Sequence, residues 1–148
     1  MKYAESIIGA MCGAVALNLF HETVKRFDHD APRVDLIGEE DINKGLASVN
    51  MQPLKGNKLF TATLIGDLLS NGLYYSFIGF GDKEYMLFRG VGYGLAAGFS
   101  ALLFTKPLGL SDAPVTRSVK TKFMTVSWYL FGGLVSAVTI KALQNNNR

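Results

Sequence analysis

The side chain with the greatest chemical potential in this sequence is Asp67. It stands inside an apolar run from Leu59 to Gly81. A carboxylate placed within a bilayer costs at least a few kcal/mol, on the order of 3, unless it is paired or protonated. Ser70, Asn71 and Tyr74 follow at offsets of three, four and seven, so a helix is expected to carry all four on one face. An acid accompanied by hydroxyl and amide groups inside a membrane is the pattern of a pathway for protons, ions or a small solute. The bland alternative is that Asp67 hydrogen-bonds a neighbouring helix and only fixes packing.

Asn18, His21 and Glu22 close another apolar run and are expected at the same membrane face as Asp67. They could complete a polar pocket with it. At 1.5 Å per residue, however, Asp67 lies about 12 Å in from Leu59, whereas Asn18 lies only about 3 Å in from Phe20. Contact therefore needs a deeper first helix or a bridging water. Without one, His21 and Glu22 are simply interfacial side chains reaching headgroups. Arg89 is shallow in its own apolar run, and Glu5 is its expected partner.

Other chemistries fail on spacing. His21-Glu22 is followed by Lys25 where a zinc-protease helix needs histidine. Asp28, Asp30 and Glu39 fall in a calcium-loop register, but Pro32 takes a ligand position and Arg33 the turn glycine. Gly90-Val91-Gly92-Tyr93-Gly94 follows no strand and ends in no Gly-Lys-Ser/Thr, so it is no nucleotide loop. Cys12 is the only cysteine, which excludes an intrachain disulfide and a thiolate cluster. It is expected as a small buried packing residue. No cofactor or metal is expected, and nothing in the pattern argues for an enzyme.

The elements that position these residues are set by where charge is missing. The 148 residues are 18% charged and carry a net charge of +3, too little to argue for nucleic acid. The charges are swept out of four windows, 3–20, 59–81, 85–104 and 123–143, each near the length that crosses a bilayer core. The expectation is an all-α integral membrane protein, a single transmembrane domain of four helices in an antiparallel bundle. The first window is expected to be a retained span, not a secretory signal. Gly9-x-x-x-Gly13 suits a packed helix.

Segments 21–58 and 105–122 hold Lys25, Arg26, Arg33, Lys44, Lys55, Lys58, Lys106, Arg117, Lys120 and Lys122. Only Lys2, Lys83, Lys141 and Arg148 flank the opposite ends. Basic loops stay inside, so both segments are expected in the cytoplasm of a bacterial-type plasma membrane, with both termini outside. Asp30-Ala31-Pro32 reads as the start of a short amphipathic cytoplasmic helix between spans one and two. Val34, Ile37, Ile42, Leu46 and Val49 form its apolar face. Asp-Ala-Pro recurs at 112–114, which raises a duplicated hairpin. The acidic first segment and the basic second one could attract each other, although solvated charges are the simpler expectation.

Lipid tails are as apolar as leucine, so small residues four apart, which let helices approach closely, supply the packing faces. Gly9 and Gly13, the glycine-zipper stripe Gly90, Gly94 and Gly98, and Gly132 and Gly133 are the candidates. Internal packing is expected to use them first, with a homo-oligomer or a larger membrane complex as the sharper reading. On sequence alone, a non-enzymatic accessory or structural subunit ranks first. A small oligomeric channel or transporter centred on Asp67 ranks second.

Overall fold

A computed structural model describes residues 2–146. Among them every regular element is helical: α1 (Lys2–Val24), α2 (Val34–Ser48), α3 (Gly56–Ser76), α4 (Met86–Leu103), α5 (Ala113–Thr116) and α6 (Val119–Asn146). Short 3₁₀ turns, Phe77–Gly79 and Lys83–Tyr85, join α3 to α4. Three stretches are long and apolar enough to cross a membrane: Tyr3–Val24, Lys83–Leu103 and Val119–Asn146. The fourth expected span coincides with α3, which has 21 residues. Asn57, Lys58, Asp67 and Asn71 keep it more polar than the other three.

Small and hydroxylic residues, Ala10, Ala14, Ser6, Thr125, Ser136 and Ala137, share the interior with a few large side chains, Tyr75, Ile78, Met86, Trp128 and Ile140. The outside is apolar on all four long helices, as Ile8, Leu73, Phe88 and Phe123 show, at 56%, 67%, 76% and 74% exposure. Water would penalise such a surface, whereas lipid does not, and small residues at the contacts are how helices pack in lipid.

The glycines sit where helices touch. A Cβ on Gly9 would lie 2.7 Å from the Ile140 backbone nitrogen, and one on Gly13 2.5 Å from the Gly132 carbonyl oxygen. Residue number rises along α1 as it falls along α6. On the other side of α6, a Cβ on Gly94 would lie 2.7 Å from Leu130 Cα, and one on Gly98 2.7 Å from Val126 Cα. Gly90 meets Gly133 and Ala137, and Gly132 meets Tyr75 and Leu17. All seven packing candidates are thus spent inside the chain. Gly66 and Gly92 meet nothing.

Two expectations are corrected here. Cys12 is not buried but exposed on the outer side of α1. Alternation of small and large residues along α1 gives its inner side to Gly9, Ala10 and Gly13, leaving position 12 facing out. Asp30-Ala31-Pro32 does not begin a helix; α2 starts only at Val34. A residue before proline is pushed away from helical backbone. Ala31 and Pro32 instead lie buried, with Thr121 Oγ1 donating to the Asp30 carbonyl (2.9 Å) and Arg33 N–H to the Pro114 carbonyl (3.0 Å). The second Asp-Ala-Pro does start a helix, α5, so the two copies touch but differ in form.

The two connecting segments are knitted together, not solvated separately. Lys120 Nζ lies 2.7 Å from Asp28 Oδ2, Arg117 donates to the carbonyls of His29 and Ala31, and Ser111 N–H donates to Glu40 (2.8 Å). These contacts hold α2 across one end of the bundle, where Gly38 lets it settle on α3. A Cβ there would sit 2.8 Å from Thr63 Cγ2. At the other end Arg89, expected beside Glu5, donates Nε to the Ile78 carbonyl (2.9 Å) and Nη1 to the Asp82 carbonyl (3.0 Å). It ties down the connection between the two 3₁₀ turns, where Gly81 takes a φ of +106°.

Candidate functional site

His21 lies in the last turn of α1, which runs past Phe20 to Val24. That extra turn carries the helix deeper than its apolar window suggested. The ring packs against Trp128 of α6, centroids 5.3 Å apart, and is 2% exposed. Its Nε2 lies 3.5 Å from Asp35 Oδ1 but makes no hydrogen bond. Asp35, in the first turn of α2, is the hub of a charge cluster. Arg33 donates Nε (2.9 Å) and Nη2 (2.8 Å), and Lys25 donates Nζ (3.1 Å) while also pairing with Glu22. Burial alone would raise the Asp35 carboxyl. His21 Nε2, facing the carboxylate at 3.5 Å, and the hydrogen bonds from Arg33 and Lys25 outweigh it and hold the group well below the usual carboxylate range.

Asp67 sits just beneath this cluster. With Asn18, His21, Pro32, Asn71 and Trp128 it lines a cavity of about 20 Å³, room for a single water. A smaller cavity of about 10 Å³ joins Asp67 to Asn18, His21, Glu22, Asp35 and Thr63. Thr63 is 3% exposed and its hydroxyl, like His21 Nε2, has no hydrogen-bond partner. Two buried polar atoms without a hydrogen bond thus border this small void. Among the described residues no donor reaches the Asp67 carboxylate by a hydrogen bond or ion pair.

The expected members of the site divide. Asn18, His21, Asp67 and Asn71 converge, and Glu22 reaches the smaller cavity. Asn18 and Asn71 each give their Nδ2 to their own helix, to the carbonyls of Ala14 (3.0 Å) and Asp67 (2.9 Å). Ser70 is exposed and bonds only the Asp67 carbonyl, at 3.3 Å. Tyr74 turns away to α4, its hydroxyl donating to the Tyr93 carbonyl (3.1 Å). The cavities around Asp67 take Thr63 and Asn71 from α3, and not Ser70 or Tyr74. Tyr75 donates to the Tyr129 carbonyl (2.8 Å).

Thr63 and Asp35 were missed from the sequence. The first could have been found by stepping four residues back from Asp67. Asp35 carried no such signal, because nothing local tells which acid of an acidic segment will be buried. The described residues hold no group of histidines, cysteines and acids arranged to take a metal ion. Comparison with protein-family models, curated proteins and solved structures finds no match.

Proposed function

We propose that this is a small transporter or channel for protons or small cations, with Asp67 as its working carboxylate. In this reading α1, α3, α4 and α6 cross the bilayer as an antiparallel four-helix bundle. Termini lie outside, and α2 and α5 cover the cytoplasmic end. The apolar outer face of α3 supports its place as a fourth span despite its polar content: Ile65, Leu69 and Leu73 are all more than half exposed.

One observation carries the assignment. Asp67, His21, Asn18 and Asn71 surround a single wet-sized void, and the carboxylate has no protein donor. Counting formal charge, Lys25 and Arg33 oppose Glu22, Asp35 and Asp67, which leaves one negative charge over when His21 is neutral. One proton or one monovalent cation restores balance. A cluster one charge short is a place to load and unload a cation.

Purified protein in liposomes should dissipate an imposed pH or sodium gradient, and Asp67→Asn should insert normally but lose that flux. Wild-type protein that moves neither ion would overturn the reading. The accessory-subunit reading keeps one support: Gly92, Ala96 and Ser100 form a small-residue stripe on α4 that is exposed. A dimer cross-linked through that stripe would favour it.

A further inference from the structure

Tyr74 and Tyr93 tie α3 to α4, with ring centroids 5.2 Å apart. Seven residues further from that tie on each helix stand Asp67 and Ser100, and there the helices no longer meet. They form opposite walls of a groove of about 310 Å³, roofed by α2 and the turn after α4 and floored by Tyr129 of α6. That volume is at the lower end of the range for small-molecule sites, about 300–1,000 Å³. Its rim is open, because Asp41, Ser100, Phe104 and Leu108 are all exposed.

The walls combine two features that select opposite kinds of guest when taken singly. Ile37, Ala101, Phe104, Leu108 and Leu110 make them apolar, which repels a hydrated metal ion. Asp67 at the inner end and Asp41 at the rim make them acidic, with no lysine or arginine among the lining residues. Lys44, three residues beyond Asp41, is taken up by Glu40 (2.9 Å) and by the Gly109 carbonyl. Fatty acids and anionic lipids would meet unanswered carboxylates, and a neutral apolar molecule would leave Asp67 covered and unpaired, which is costly. Aromatic rings on two sides, Phe104 and Tyr129, add surfaces that attract diffuse positive charge. Behind Asp67, the nearly buried Thr63 Oγ1, which has no hydrogen-bond partner, shows that polar demand continues inward from the groove.

We infer that this groove binds a hydrophobic organic cation, a single positive charge on an apolar body, with its charge held by Asp67 and its entry guided by Asp41. The inference names the substrate class of the proposed transporter and rests on that reading for its purpose, though not for the binding itself. Asp67 borders both the groove and the inner voids, so an organic cation in the groove and a proton within compete for the same carboxylate.

Equilibrium dialysis of radiolabelled tetraphenylphosphonium against the detergent-solubilised full chain tests this. Saturable binding near one per chain is expected, with tetraphenylborate, alike in shape but anionic, failing to compete. Asp67→Asn should weaken binding at least tenfold. Asp41→Asn, at an exposed position where folding is not at stake, should weaken it about threefold. Binding that is unsaturable, or unchanged in both variants, is partition into the micelle and overturns the inference. Proton flux in liposomes with no tetraphenylphosphonium binding overturns the groove assignment and leaves the transport reading standing. Binding without flux does the reverse.

Discussion

His21 Nε2 and Asp35 Oδ1 lie 3.5 Å apart across two helices, with side chains only 3% and 11% exposed. The pair anchors α2 to the end of α1, and with Arg33 and Lys25 it turns a short surface helix into a fixed cover over the bundle. Without it, α2 would hold only through Gly38 on α3 and through contacts to the second segment.

Asp35→Asn should therefore be the most damaging conservative change in α2. Removing one partner of a buried ion cluster costs about 3 kcal/mol, because the charges left behind are unanswered. The melting midpoint in detergent should fall clearly, and hydrogen exchange should speed up along residues 34–48.

The same carboxyl fixes a pH dependence. Its folded form is held below the unfolded value of about 3.9, so its contribution is complete above that value and is lost as pH falls through the folded one. The stability gap between wild type and Asp35→Asn should stay constant from pH 6 down to 5 and narrow only below about pH 4. A gap that closes between pH 6 and 5 would point to a different titrating group.

Close approach of α4 and α6 gives a second test. Gly94→Ala would set a methyl group 2.7 Å from Leu130 Cα, against backbone that cannot yield. Overpacking of this kind costs about 1–3 kcal/mol. Gly92→Ala, with nothing within reach, should leave the melting midpoint unchanged or raise it, since alanine favours a helix by up to about 1 kcal/mol over glycine.

What the sequence made legible follows from the range of each force. The long helices and the polar character of α3 are written in local periodicity and were readable, whereas the start of α2 and the short α5 were not. The gathering of Asn18, His21 and Asp67 depended on α1 running one turn past its apolar window, which polar residues at its end concealed. Asp35 depended on a loop of buried Ala31 and Pro32 swinging α2 beneath Arg117, a long-range fact with no local trace. Ser70 and Tyr74, expected beside Asp67, are instead exposed and turned to α4, respectively, because which neighbour each side of α3 meets is set by long-range packing that local spacing does not record.

Membrane topology can be checked with the native Cys12 changed to serine. Lys44→Cys on α2 and Lys83→Cys in the α3–α4 turn should react with a membrane-impermeant maleimide from opposite sides of sealed vesicles. Labelling of both from one side would remove α3 as a span.

Arg117 links the two connecting segments by donating to the carbonyls of His29 and Ala31. Arg117→Ala should cost about 1.5 kcal/mol, the low end for hydrogen bonds to charged groups. Proteolysis between residues 26 and 33 should accelerate, with little change within α4.

The state of Asp67 itself can be read with dicyclohexylcarbodiimide, an apolar reagent that attacks protonated carboxyls reached from lipid. On liposome-embedded protein, peptide mass spectrometry should find the adduct on Asp67 and not on the ion-paired Asp35, and ion flux should fall in step with labelling. An unlabelled Asp67 beside labelled surface acids, or full flux from fully labelled protein, would contradict an unpaired, proton-loading carboxyl at the heart of the molecule.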